Sequence, residues 1–579
     1  MIARNFIGSK VVDVIKKKIE VFLIMFQELS IGDGTCVASH RHAIHQSQAA
    51  AETVSLSKKN ILMLLSDPYF YLESGFYHDP GEPICLSPIV DQKEALDSNP
   101  SLLEEASYLT SLGAYHLRSM TSEVCALIFK GTARPLWSRR MHLGLHLIRQ
   151  TLHFDLNTMA HARKGTQLLQ YLEDQIVPKA EAYNTIKLNF GVDLDEILAM
   201  EKISQTIQSQ AFPIPDEVLP TGYQYRLKGE WIEPTPASRI IESSRASGAK
   251  RQKVLVYLHG GAYILLNPTA YRSTMGMFAS ETGYTVFALD YRLAPENPFP
   301  AAIHDVLAAY IWLLNPKHSV FGQQIFGVDR EPIRPEDIIM GGDSAGGGLV
   351  LAFFNYLNHY LVNPDGSRQF PLPGGAFLMS PWTDLTFSSE SCRTNAEYDY
   401  LPRHMHDIHT PIFPGFPHPV YSYILGENLA RRLPPIENRK QAHARSDSGV
   451  YVSGTFKEYC DPKSVVNRYV YHPLISPIFQ STFQGCPPIL IQAGDCEMLR
   501  DETIALAFKI QQTNGHQMVR HELYTDMVHI FQMIRGIESS RRAWENIFEF
   551  VKKVGDEARD LSRLNLIGDD YYKVDIHNQ

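Results

Sequence analysis

The chain has 579 residues, of which 44% are apolar and 20% charged, and its formal net charge is −9. That length buries a sizeable core and exceeds one typical domain, so two units, or one large domain with additions, are expected. The acidic balance gives no reason to expect nucleic acid as a partner, and it does not choose among uncharged substrates.

Read from the start, residues 11–29 are basic and apolar, but Lys16, Lys17, Lys18 and Glu20 interrupt them. The unbroken apolar run 21–26 is too short for a membrane span or a signal-peptide core. An amphipathic helix packed on the protein is predicted. The three lysines also suit an interfacial helix, which keeps peripheral membrane contact open. Up to about Gln210 the pattern is helical, with apolar residues at helical spacing over 102–127, 141–152 and 166–176, and no clear strand runs.

The texture then changes. Residues 222–234 read as a strand pair. Short apolar runs follow at 254–258, 285–289, 338–340, 375–379 and 488–493, alternating with helical stretches. Strands alternating with helices imply crossover connections and a mostly parallel sheet of α/β class. Residues 385–470 contain few apolar runs and include a charged, proline-containing stretch at 427–449; they are expected to form a cap insertion. The predicted division is a helical region, 1–210, contributing to a cap, and a domain over 211–579 carrying the chemistry. Residues 538–561 predict a terminal packing helix.

Three segments carry chemistry. Gly342-Asp343-Ser344-Ala345-Gly346 follows a strand run and opens a helical stretch, the context a nucleophile elbow requires, with Ser344 as nucleophile. His259-Gly260-Gly261-Ala262-Tyr263 follows the run 254–258. Attack on an ester builds an oxyanion, and backbone N–H groups aimed at it are worth roughly 3 kcal/mol each. Gly261 and Ala262 are assigned as donors, with Ala345, after the nucleophile, as the third. His529 sits in a late loop behind the strand predicted at 519–524. It is the position for a general base in the chain order Ser…acid…His, which singles it out among 23 histidines. The acid must lie just past the strand ending near Ala493, where Asp495, Glu497 and Asp501 all qualify; Asp501 also suits a helix cap.

Together these segments identify residues 224–551 as similar to the hormone-sensitive-lipase-like carboxylesterases, the α/β-hydrolase fold-3 proteins. The residues that carry the resemblance are the HGGAY loop, Asp290-Tyr291-Arg292-Leu293-Ala294-Pro295-Glu296, the GDSAG elbow, Ser380-Pro381-Trp382-Thr383-Asp384, His472-Pro473, Ser476-Pro477 and the late VHIF. The resemblance implies an α/β-hydrolase fold and a serine carboxylic-ester hydrolase acting on a hydrophobic, short- to medium-acyl ester. It implies no metal or organic cofactor. Family members carry Asp-Pro-Leu-Arg-Asp with the triad acid first; the matching stretch here begins at Glu497, which makes Glu497 the expected acid and Asp495 the alternative. Ala262 also departs from the family's usual glycine, at little cost if an ordinary φ suffices. Arg134-Pro135-Leu136-Trp137-Ser138 resembles N-terminal regions of the larger, fungal-type steryl-acetyl-hydrolase-like branch. A ligand-binding homologue without activity, as gibberellin receptors are, and an amidase or deacetylase using the same triad are the competing readings; His529, replaced in such receptors, is retained.

Seven cysteines, odd in number and without a CxxC pair, give neither a disulfide framework nor a zinc pattern. Asn99 and Asn267, the candidate glycosylation positions, each precede proline. Both observations predict an intracellular, cytoplasmic protein.

Overall fold

The computed structural model describes most of residues 119–153, with 163, 183–205, 224–234, 251–316, 324–326, 331–409, 418–431, most of 466–557, and 572–574. The expected helix at 11–29, the helical pattern at 166–176 and most of the charged stretch 427–449 lie outside the described residues.

Ten strands form one sheet: β1 (Tyr183–Asp193), β2 (Gln224–Pro234), β3 (Val254–Leu258), β4 (Thr285–Asp290), β5 (Gln324–Phe326), β6 (Ile338–Asp343), β7 (Gly375–Met379), β8 (Ile489–Gly494), β9 (Val519–Tyr524) and β10 (Tyr572–Val574). Their order is β10-β9-β8-β7-β6-β3-β4-β2-β1-β5. From β10 to β4 every neighbouring pair is parallel, while β2, β1 and β5 extend the sheet antiparallel.

The parallel strands are apolar runs because both of their faces are covered. Side chains alternate across the pleat. Val254, Val256 and Leu258 pack in one core with helices α4 (Ala301–Leu314), α5 (Ser344–Asn355) and α6 (Arg500–Asn514). Leu255, Tyr257 and Ile339 face the other way, against α3 (Arg272–Thr282) and α7 (Glu538–Glu557). In α7, Trp544, Ile547 and Val551 supply the apolar stripe. Two further helices, α1 (Arg139–His153) and α2 (Leu194–Gln205), precede β2.

Two expectations change here. Residues 222–234 are not a strand pair. They hold the single strand β2, whose partner is β1, paired over its whole length from Tyr183↔Pro234 to Asp193↔Gln224. The sheet therefore starts before residue 211, inside the stretch read as helical. The sequence YNTIKLNFGVD does not read as a strand because, among its described side chains, only Leu188 and Val192 are buried, while Asn184, Ile186 and Lys187 are exposed. It resembles a polar loop more than the continuous apolar strands at the sheet's centre. Ser391 and Asn395 hydrogen-bond to the segment that follows β8.

Candidate active site

Strand β6 runs straight into α5, and the turn between them is Ser344 at φ 49°. A non-glycine residue in this left-handed region is strained. Small neighbours make the turn fit: a Cβ on Gly346 would stand 2.0 Å from the carbonyl oxygen of Leu258, and one on Gly342 would meet the backbone of Gly346 at 2.6 Å. Ser344 lies at the N-terminus of α5, where unpaired N–H groups favour negative charge.

Asp343 is fully buried beneath the turn. Its carboxylate accepts from Tyr257 Oη at 2.7 Å, Tyr271 Oη at 2.9 Å and the Gly260 amide at 3.0 Å. Burial raises its pKa to about 6, against the lowering effect of these three donors. Asp343 thus fastens the elbow to the loop after β3.

That loop holds the expected donors. Gly261 has φ 105°, and a Cβ there would stand 2.3 Å from the Leu265 carbonyl oxygen, so only glycine fits. Ala262 has φ 54° and Tyr263 φ 64°. The ordinary φ assumed for Ala262 is not what the loop adopts; its Cβ sits in the left-handed region at a cost of about 1–2 kcal/mol. Among the described residues the amides of Gly261 and Ala262 have no acceptor, which suits donors awaiting a ligand. Ala345 follows Ser344 in the first turn of α5, where helix amides have no intrahelical partner.

His529 follows β9. Its Nε2 stands 3.0 Å from Ser344 Oγ, and its ring is fully buried. Desolvation lowers its pKa to about 3, so the imidazole is neutral near pH 7 and able to accept a proton. The ring of Tyr400 lies 5.9 Å from that of His529.

The acid is positioned less directly. Glu497 is fully buried, and its Oε2 accepts from Ser380 Oγ at 2.6 Å and from the Gly494 amide at 3.0 Å. Ser380 Oγ in turn accepts from the amide of Ile530, next to His529. Among the described residues, Glu497 Oε1 and His529 Nδ1 are both buried atoms without a hydrogen-bond partner. Burial, together with the nearby Asp399, raises Glu497 to about 8. Asp495 turns elsewhere: its Oδ1 accepts from the Asp526 amide at 2.7 Å. Asp501 accepts from the Ser391 amide and pairs with Arg500.

Two residues escaped the sequence reading. Ser380, at φ 46°, is the hydroxyl that connects Glu497 to the histidine loop. Asp399 is fully buried, and its carboxylate accepts from the amides of Met498 at 2.7 Å, Tyr400 at 2.8 Å and His529 at 3.3 Å. It joins the acid-bearing and histidine-bearing loops. Ser380 stood within a recognised motif; Asp399 lay in a segment read as cap, and no local pattern marks it. Other residues are structural: Arg292 grips Asp305, and Tyr263 stacks on Tyr423 at 3.9 Å.

A family model described as alpha/beta hydrolase fold matches residues 255–437 and 436–533. Over these residues the chain is similar to the α/β-hydrolase fold-3 family. Among the relatives of this hydrolase, an acetyl-hydrolase of Streptomyces hygroscopicus is 26% identical over 377 residues, covering 64% of this chain and 95% of that protein. An esterase of Acinetobacter venetianus is 28% identical, covering 55% and 81%. A solved esterase of the bacterial hormone-sensitive lipase family is 25% identical, with 71% of this chain and 95% of that one covered and a TM-score of 0.43. The protein is a carboxylesterase/lipase-type hydrolase. No helix among its described residues is long and apolar enough to cross a membrane.

Proposed function

We propose that this hydrolase cleaves a hydrophobic carboxylic ester, with a short to medium acyl group, through an acyl-enzyme on Ser344. One observation carries the reading: His529 Nε2 stands 3.0 Å from the oxygen of a serine held at a strained strand-to-helix turn.

His529 takes the Ser344 proton as the oxygen attacks the ester carbonyl. The N–H groups of Gly261, Ala262 and Ala345 hold the oxyanion. Collapse expels the alcohol, which takes the proton back from His529. Water, deprotonated by the same Nε2, then attacks the acyl-enzyme and releases the acid. Glu497 supports the imidazolium through its free Oε1. Asp495 is the weaker alternative, because its Oδ1 is already engaged by the Asp526 amide. Residues before the sheet and those of the 385–470 insertion set acyl and alcohol size, and the basic segment 11–29 is the part suited to a lipid surface.

The test is hydrolysis of a short-chain p-nitrophenyl ester by purified protein and by Ser344→Ala. The reading fails if the wild type is no faster than this variant.

A further inference from the structure

Asp526 lies three residues before His529, buried, in the left-handed region at φ 58°. Its carboxylate accepts from Arg134 Nε at 2.8 Å and from the Leu136 amide at 2.9 Å. Its carbonyl oxygen accepts from Trp137 Nε1 at 2.5 Å. The Trp137 ring packs with Met527, Val528 and Phe531, the residues around His529. One short stretch, 134–137, thus donates three hydrogen bonds to a single strained residue of the histidine loop.

The grip repeats nearby. Arg149 of α1 donates to the carbonyl oxygens of Tyr398 at 2.7 Å and Asp399 at 2.9 Å, and Asp399 receives the His529 amide. Arg163 donates to the carbonyl oxygens of Ile264 and Ala294, each at 3.0 Å, and forks onto Glu296. Ile264 lies two residues beyond Ala262. Three guanidinium groups from before the sheet therefore close on the loops that carry the site, Arg149 and Arg163 on main-chain oxygens and Arg134 on the Asp526 carboxylate. Asp495, Cys496 and Asp526 gather their ligand-type atoms within 4.8 Å, as a metal site would. The cation that pairs with Asp526 is Arg134, at 2.8 Å.

We propose that Arg134 is a positioning residue for His529, acting through Asp526, and that this N-terminal segment is a clasp without which the site does not hold its geometry. The proposal rests on the reading of Ser344 and His529 as an esterase pair. Left-handed Asp526 is uphill by itself, and the bonds from 134–137 offset that cost. Without them the loop relaxes and Nε2 drifts from Ser344 Oγ. A misplacement of about 1 Å costs on the order of a hundredfold in rate.

The experiment uses the full chain and p-nitrophenyl acetate. Arg134→Ala is expected to lower kcat by about tenfold or more, which is about 1.4 kcal/mol, at nearly unchanged KM. Added guanidinium ion is expected to restore part of the rate by occupying the vacated place beside Asp526. An undiminished kcat overturns the proposal, as does a lowered kcat that guanidinium does not restore. If Arg134→Ala does not accumulate as folded protein, Trp137→Phe serves instead: it keeps a ring and removes the bond to the Asp526 carbonyl, so kcat must fall at unchanged KM, and an unchanged kcat overturns the clasp. Ser344→Ala runs alongside. Wild type no faster than Ser344→Ala refutes the esterase pair; an active wild type matched by Arg134→Ala refutes only the clasp.

Discussion

The Gly260 amide donates to Asp343 Oδ1 at 3.0 Å, and this bond makes the oxyanion loop and the nucleophile's turn one piece. A Cβ on Gly260 would stand 2.3 Å from Asp343 Oδ2. Gly260→Ala should therefore displace a buried carboxylate from its donors. Loss of one such partner costs about 1–3 kcal/mol. The expected outcome is a lower denaturation midpoint together with a fall in kcat; a variant that keeps both would show that the latch is dispensable.

The two carboxylates near His529 differ in what they have left to give. Asp399 spends its oxygens on three amides, while Glu497 keeps Oε1 free. Glu497→Gln should cut kcat by on the order of a thousandfold or more, as loss of a triad acid does. Asp495→Asn should cost less than about tenfold, or 1.4 kcal/mol. Steady-state kinetics on one ester ranks them, and the opposite ranking would transfer the role to Asp495.

Burial sets opposite pH windows for the pair. His529 is held at about 3, below its ordinary 6.5, so the base form persists well into acid. The triad also needs Glu497 ionised, and burial raises that carboxyl to about 8, so the acid limb of kcat/KM should follow Glu497 and lie above pH 6.5; a limb below that value would mean that the neutral acid supports His529 equally well. For stability, a lowered histidine pKa means the unfolded chain takes the proton first. Its contribution is present above 6.5 and is lost as pH falls towards 3. Glu497 is raised from 4.5 to about 8, so its contribution is present below 4.5 and lost as pH rises through 8. Denaturation midpoints of Glu497→Gln should decline less than those of wild type across that interval.

Ala262 offers a test of backbone strain. Ala262→Gly removes the Cβ penalty at φ 54° and should keep activity, with stability unchanged or raised by up to about 1 kcal/mol. Ala262→Val puts a β-branched side chain into the same φ and should cost activity sharply. Equal rates for the two variants would mean that the loop's φ is immaterial to hydrolysis.

The sequence carried the central parallel strands well, because they are apolar runs covered on both faces: the readings at 254–258 and 375–379 coincide with β3 and β7. It carried the antiparallel end poorly. Among the described side chains of β1 only Leu188 and Val192 are buried, and β1 is recognisable chiefly by its pairing with β2. Within the site, Ser344 and His529 stood out because turn chemistry and chain order single them out. Asp399 did not, because its role comes from two amides distant in sequence, those of Met498 and His529, meeting at one carboxylate. The left-handed φ of Ala262 was equally hidden, since alanine gives no sign of it.

Ser344 occupies a backbone conformation that it would not choose alone, at φ 49°. Such a residue keeps its place only while Gly342, Gly346 and the Asp343 latch press on it from all sides. On warming, that small region has more to gain from loosening than the sheet around it has. Ester turnover should then fade at temperatures where far-ultraviolet circular dichroism still reports an intact helix signal, which makes the nucleophile's turn a local gauge of packing.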